Sequence, residues 1–447
     1  MDSKKEEPVE DKIRKSLKYS IMDGAFYSAM VGFGESFFSA FAIFLKASNL
    51  QIGLLGSLPI ALGSVSQLYS NRLIKWFHSR KRFVYLMALL EGLMYIPVAF
   101  VFFLGELKVF HLIFFVSLYW IFGMIASAAW NSWMGDLVKE NERGRYFGKR
   151  NKIAGLTAFV SFMLGGYILQ RFTDGSEQQY IGFAIIFGLA LLSRIMSFIY
   201  LTKKYEPEYV AVKEAEFTLL DFIRQARFRN YGLLVLYLCF MNFSIYIAGP
   251  FFAAYMLYDL KFSYMTFTII SAIAIIVKYL SMPVWGMASD RFGTRKVLTL
   301  SGFLMPIVPL LWFFSGNAWH LVPIQIYSGF VWAGFEISSF NFMFDTTSHE
   351  KRATCIAYYN VLNGGSLLLG SVIGSLMVKY STLFWSKYLI VFLASSALRY
   401  VASFVFLPRL KEVRQVESTS YEKIFLNIIT SMPTMGMMHR LITFRRK

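Results

Sequence analysis

The 447-residue chain is 56% hydrophobic and 18% aromatic, with only 16% charged residues and a mean hydropathy of +0.50. Soluble chains carry about 25% charged residues, so the composition excludes an ordinary soluble enzyme or binding module. The formal charge of +18 would suggest nucleic acid in a soluble protein; in this chain its distribution decides its meaning.

Residues 1–18 are polar and charged and lack the apolar core and small-residue cleavage site of a secretory signal. They predict a cytoplasmic N-terminal segment followed by a first helix that inserts and stays. Apolar blocks of about 20 residues, the length that crosses a bilayer core, predict helices near 20–46, 50–70, 83–104, 109–133, 151–171 and 179–202. These form a first six-helix bundle over 19–202. The charged stretch 203–230, with Pro207, predicts a cytoplasmic linker. Further blocks near 231–257, 263–285, 297–315, 319–344, 353–378 and 384–407 predict a second bundle over 231–407. Residues 408–447 form a basic cytoplasmic tail. Its part 421–444 mixes apolar and basic residues and suits either a helix lying on the membrane surface or a disordered segment interrupted by Pro433. The fold class is therefore an all-α membrane protein, with twelve transmembrane helices in two six-helix pseudo-repeats.

Lys and Arg placement orients the chain. With the N-terminus inside, 36 basic residues fall on the cytoplasmic side, 6 on the outer side, and Arg194, Lys278 and Arg399 within helices. Both termini are expected in the cytoplasm, with the protein in the plasma (inner) membrane. The basic excess is a topology signal and calls for no nucleic acid.

The halves repeat. After the fourth helix the chain carries Asp136, Arg143 and Asn151; after the tenth it carries Asp345, Arg352 and Asn360. Each pair is offset by 209 positions, as are Gly155 with Gly364 and Gly165 with Gly374. Six-helix halves in parallel repeat are a transporter plan that places the solute between them near mid-membrane. A second motif follows helix eight: Gly286, Asp290, Arg291, Gly293, Arg295 and Lys296. Its glycines suit close helix approach and a tight turn, and Asp290 stands at a helix end where it can pair with a cation or a helix N-terminus.

With this loop the chain resembles the major facilitator superfamily over Tyr19 to Leu407, and the Asp136/Arg143 and Asp345/Arg352 spacings look like the acid-x6-Arg loops of its sugar porters. The resemblance implies a cytoplasmic inner gate of ion pairs among Asp136, Arg143, Gly286, Asp290, Arg291, Gly293, Arg295, Lys296, Asp345 and Arg352. The first half departs from the pattern: the loop after helix two keeps Arg80 and Lys81 but has no Gly-x3-Asp. Helix five also lacks the Gly-Pro element of drug–proton antiporters.

Ionisable residues inside a membrane are costly and often functional. Glu35 stands midway along helix one, Lys278 in helix eight and Glu336 in helix ten. The resemblance puts these beside the central path, with Trp130, Asn131, Asn242, Tyr246, Gln325 and Trp332 as further candidates for solute contact. The alternatives are that the aromatics pack against lipid or helices, and that Lys278 pairs with Glu336. Arg194 and Arg399 suit snorkelling or pairing with the gate. Glu91 and Asp23 read as structural, Asp23 at the membrane edge. Gly370 and Gly374 suit close helix packing at what the resemblance implies is the moving interface between halves.

The segment Gly144 to Lys149 is one residue too short for a phosphate loop and is followed by Arg150 instead of Ser or Thr, so direct ATP drive is not expected. The five histidines show no metal-ligand spacing, and no nucleophile–base set points to an enzyme. The reading is a monomeric secondary active transporter, without cofactor, embedded in membrane lipid. It moves a small polar organic solute, a sugar among the candidates, by alternating access, with a proton or other ion as coupling partner. Efflux of amphipathic compounds or drugs is the competing transport reading; a non-transporting receptor or a membrane enzyme is the competing class.

Overall fold

The computed structural model describes residues 8–139, 142–172, 175–207, 218–226, 228–347, 349–414, 416 and 420–430, and among these the chain is helical without a strand. Within helices, the side chains of 143–145 and 349–353 lie outside the described set. Twelve long helices run in chain order: α1 (Val9–Phe44), α2 (Asn49–Tyr69), α3 (Arg80–Phe103), α4 (Gly105–Leu137), α5 (Arg143–Arg171), α6 (Ser176–Thr202), α7 (Asn230–Asp259), α8 (Tyr264–Phe292), α9 (Thr294–Phe313), α10 (Ala318–Asp345), α11 (His349–Tyr380) and α12 (Leu389–Arg409). All except α10 contain a window long and apolar enough to cross a membrane. Helix α10 has 28 residues, about 42 Å at 1.5 Å per residue, against about 30 Å of hydrocarbon. Its lower hydropathy comes from Gln325, Glu336, Asn341 and three serines.

Local chemistry sets the helix ends and breaks. Ser48 and Gln51 form a reciprocal capping box at α2. Ser79 accepts from the Arg82 amide at α3, and Asn317 accepts from the His320 amide at α10, each satisfying one of the orphan amides of a first turn. Helix α9 opens at Gly293, whose φ of +97° is a left-handed value that glycine reaches without strain. Helix α1 breaks into a 3-10 turn at Glu35–Phe37, where Gly34 packs directly on the Tyr95 ring. Helix α1 also begins at Val9, well before the apolar stretch, because residues 9–18 continue the same helix beyond its apolar part.

The chain divides into two compact units. Unit 1 comprises 1–213 with 250–268; unit 2 comprises 214–249 with 269–447. Inside unit 1, α1 packs on α5 and α6, and α3 packs on α4 and α6. Inside unit 2, α7 packs on α11 and α12, and α9 packs on α10 and α12. The two sets correspond helix for helix, so the 209-residue repeat is a repeat of packing. Unit 1 holds a phenylalanine-rich core around Phe37, Phe41, Phe183 and Phe187. Unit 2 centres on Leu234, Tyr237, Met241, Val331 and Phe342.

Gly370 and Gly374 seat α11 on α7 within unit 2, where a Cβ would come within 2.2 Å of the Phe243 and Ile247 carbonyl oxygens, respectively. Backbone cannot yield as a side-chain tip can, so Gly374→Ala should destabilise unit 2 by about 1–3 kcal/mol, the usual cost of overpacking. A lower apparent melting temperature in lipid nanodiscs, against no change for Gly188→Ala, where the added Cβ meets open space, checks this.

In the tail, residues Tyr421–Thr430 are helical; Ile424 and Ile428 are buried against Val284, Trp285, Ala288 and Phe292 of α8, while Tyr421 and Leu426 are exposed. Residues 431–447 fall outside the described set.

Candidate functional site

Ionic clusters stand at corresponding helix ends of the two units. In unit 1, Arg80, the first residue of α3, donates to Asp136 at 2.6 Å and to the Ser132 hydroxyl and carbonyl of α4. Glu206, just past α6, accepts from the Lys81 amide at 3.1 Å and from the Ser79 hydroxyl at 2.5 Å. It lies 3.9 Å from the Arg80 guanidinium. In unit 2, Thr294, the first residue of α9, donates to Asp345 at 2.8 Å. Glu412, just past α12, accepts from the Arg295 amide at 2.9 Å. A carboxylate at a helix N-terminus meets both unpaired amides and the positive end of the helix dipole. The pattern is the same in both units except for its cation. Asp136 draws its arginine from α3, whereas Asp345 draws Arg414 from the tail, through two bonds of 2.8 and 3.0 Å. Arg414 also donates to Asp290 at 2.9 Å.

The expected gate residues therefore separate. Asp136, Asp290 and Asp345 are in ion pairs, Gly293 makes the turn, and Arg295 contributes its amide. Arg291 is exposed, with its guanidinium over Phe292. Lys296 lies in the first turn of α9. Gly286 faces open space rather than a neighbouring helix, so close approach does not explain it. The side chains of Arg143 and Arg352 lie outside the described set. The partners that sequence reasoning missed are Glu206, Thr294, Glu412 and Arg414; an acid soon after each half's last helix was the available signal.

The candidates for solute contact also divide. In unit 2, Lys278 and Glu336 pair at 3.0 Å. Asn242 donates to Asn363 at 2.7 Å and approaches Tyr359 at 3.4 Å. Tyr246 and Trp332 pack against the unit 2 core, Trp332 edge-on to Phe335. Gln325 is buried and donates to the Ile270 carbonyl, which joins α10 to α8. In unit 1, Glu35 accepts from Tyr119 at 2.8 Å. Trp130 and Asn131 line a cavity of about 180 Å³ together with Asp23, Tyr27, Arg150 and Arg194.

The charges around that cavity are more buried than their place in the sequence suggests. Asp23 is 2% exposed. One carboxylate oxygen accepts from Ser197 at 2.7 Å, and the other lies 3.8 Å from Arg150. Arg194 does not snorkel: it is buried, bonded to Glu91 and to the Ser197 hydroxyl. Its guanidinium stands 4.9 Å from the Tyr27 ring centre, and that of Arg150 stands 4.4 Å from Trp130. Both are cation–π separations.

Lys204, just beyond α6, is fully buried. Its ammonium is held between the faces of Trp133 (4.2 Å) and Trp130 (5.3 Å) and bonds the Met134 sulfur. Burial lowers its pKa to about 7, a shift opposed by Asp23 and reinforced by Arg150 and Lys81. Between about pH 7 and the unfolded-state value near 10.5 the unfolded chain binds the extra proton, so stability should rise with pH across this window. Below it the burial penalty is fully present. The melting-temperature difference between wild type and Lys204→Met, followed from pH 6 to 9, should change in that sense; a flat difference contradicts it.

A family model of the Major Facilitator Superfamily matches residues 24–255 and again 234–444. No curated protein sequence matches significantly. Among solved structures, a D-xylose–proton symporter is 13% identical with a TM-score of 0.70, covering 92% of this chain and 99% of its own. The nucleoside transporter NupG is 16% identical with a TM-score of 0.63, covering 90% and 99%. A bacterial homologue of the iron transporter ferroportin, in its inward-facing state, is 13% identical with a TM-score of 0.66, covering 90% and 99%. These likenesses are likenesses of fold. Together with the family match over both halves, they show that the chain is an integral membrane protein belonging to the Major Facilitator Superfamily.

Proposed function

We propose that this protein is a secondary transporter that carries a small polar organic solute, a sugar among the candidates, by alternating access. The observation that supports this most is the repeat itself. Both units use the same helix pairing and set an acid–arginine cluster at the same helix ends, which is what two bodies that exchange partners at a gate require. The polar groups at membrane depth favour a polar cargo. In this reading both termini face the cytoplasm of a plasma-membrane protein that works as a monomer. The gate is formed by the clusters around Asp136, with Arg143, and around Asp290 and Asp345, with Arg352. Counterflow in proteoliposomes tests the reading: preloaded unlabelled solute should drive transient uptake of the labelled form, screened over xylose, nucleosides and small organic acids. Absence of saturable counterflow for all three classes contradicts it.

A coupled proton suits Glu35 better than Glu336. Glu336 already has Lys278 as counter-ion, whereas Glu35 has only the Tyr119 hydroxyl and sits at the break in α1. Glu35→Gln should therefore keep counterflow, which needs no net proton movement, and lose accumulation driven by a pH gradient. A variant that still accumulates solute under that gradient contradicts the assignment.

A further inference from the structure

The unit 1 cavity contains hydrogen-bonding capacity that the protein leaves unused. Asp23 and Arg194 are both more than nine-tenths buried and both line it. One Asp23 carboxylate oxygen and the Arg194 Nε have no hydrogen-bond partner. Arg150 gives its Nε to the Ser20 carbonyl and reaches Asp23 only at 3.8 Å, too long for a hydrogen bond. The Asn131 side chain also lines the space. Unsatisfied buried polar groups of this kind cost folding free energy unless something fills them.

The two arginines that line the cavity differ in how firmly they are held. Arg194 is matched by Glu91, whereas Arg150 has Asp23 only at 3.8 Å and the face of Trp130. A volume of about 180 Å³ equals roughly six waters at 30 Å³ each and is well below the 300–1,000 Å³ typical of sites for drug-sized ligands.

We propose that this cavity binds a small organic monoanion that also carries a hydroxyl or amine, with its acidic group at Arg150 and its donor at the free Asp23 oxygen. The loosely held Arg150 guanidinium selects the acidic group, the orphaned carboxylate oxygen selects the donor, and the volume restricts the solute to a few carbons. This deepens the carrier reading above and rests on it, since it names the class of cargo for the same protein.

The test uses the full-length protein in nanodiscs and proteoliposomes, with lactate, glycerate and glutamate as anionic probes and glycerol and xylose as uncharged ones. The acids should raise the melting temperature saturably, and the uncharged probes should not. Arg150→Gln should weaken apparent affinity for the acids by roughly 10- to 100-fold, as expected for loss of a hydrogen bond to a charged group. Asp23→Asn should act mainly on the hydroxyl- or amine-bearing acids, against propionate as reference. Arg171→Gln, at an exposed helix end, controls for charge removal. Should Arg150→Gln fail to fold, competition of the acids with glycerate for wild-type protein still decides the question. Saturable binding and counterflow of xylose alone, unaffected by Arg150→Gln, overturns the anion class and leaves the carrier standing. Binding of the acids without counterflow overturns the carrier reading and leaves the site. No saturable response to any acid overturns the site.

Discussion

Replacing Glu91 with leucine is expected to cost about 3–5 kcal/mol, because removing one partner of a buried ion pair strands the other. Glu91 and Arg194 are both buried and bonded to one another. Arg194 also stacks on Tyr27 and reaches Asp23 through Ser197. The variant would leave a guanidinium in the interior of unit 1 with only the Ser197 hydroxyl and an aromatic face for company. The double variant Glu91→Leu with Arg194→Met should recover most of the loss, since apolar residues of similar volume often replace a buried pair at little cost. Apparent melting temperatures of the two singles and the double give the coupling directly. Additive losses contradict the pair.

Unit 2 contains a natural control. Arg399 of α12 is buried like Arg194 of α6, but it donates to the Met305 backbone carbonyl at 3.2 Å. Met305 stands as far from the start of α9 as Glu91 does from the start of α3. The second half has thus kept the arginine and has methionine in place of its counter-ion. Arg399→Met should accordingly be neutral or stabilising, where Arg194→Met is strongly destabilising.

The second large effect concerns Asp345. It accepts three hydrogen bonds, two from Arg414 and one from Thr294, and its side chain is 15% exposed. Asp290 shares the same arginine through one bond and is 74% exposed. Asp345→Asn should therefore lose about 1.5–3 kcal/mol, the range for hydrogen bonds to charged groups, while Asp290→Asn stays within about 1 kcal/mol, as exposed ion pairs do. Arg414→Gln should lose at least as much as Asp345→Asn, because it removes both bonds to Asp345 and the bond to Asp290 as well. Equal effects at Asp290 and Asp345 contradict this ranking.

Much of the architecture is legible in the sequence because apolar length and charge placement act locally. The blocks of about 20 residues become helices, and the Asp136/Asp345 repeat becomes a pair of matching clusters. What is hidden is long-range. The partners of the helix-end acids lie 51 to 127 residues away along the chain, and no local pattern announces them. Asp23 and Arg150 look like loop-edge charges because the apolar blocks start beside them; tertiary packing of α1 on α5 buries them. Gln325 is a further case: its amide finds the Ile270 carbonyl 55 residues away, which no local pattern announces. The Lys278–Glu336 pair was foreseen as one of two alternatives, since two opposite charges at membrane depth favour each other.

The source of the cation at each cluster also has a consequence for the order in which the protein is built. In unit 1 the ribosome makes Arg80 before Asp136, so the acid finds its arginine already present. In unit 2 Asp290 and Asp345 are synthesised before Arg414, and Glu412, which covers the start of α9, comes equally late. Helices α8 to α10 are thus inserted before the arginine that pairs with Asp290 and Asp345, and α9 before the carboxylate that covers its first turn. Unit 2 becomes complete only after α12 has entered the membrane and the segment behind it has folded back.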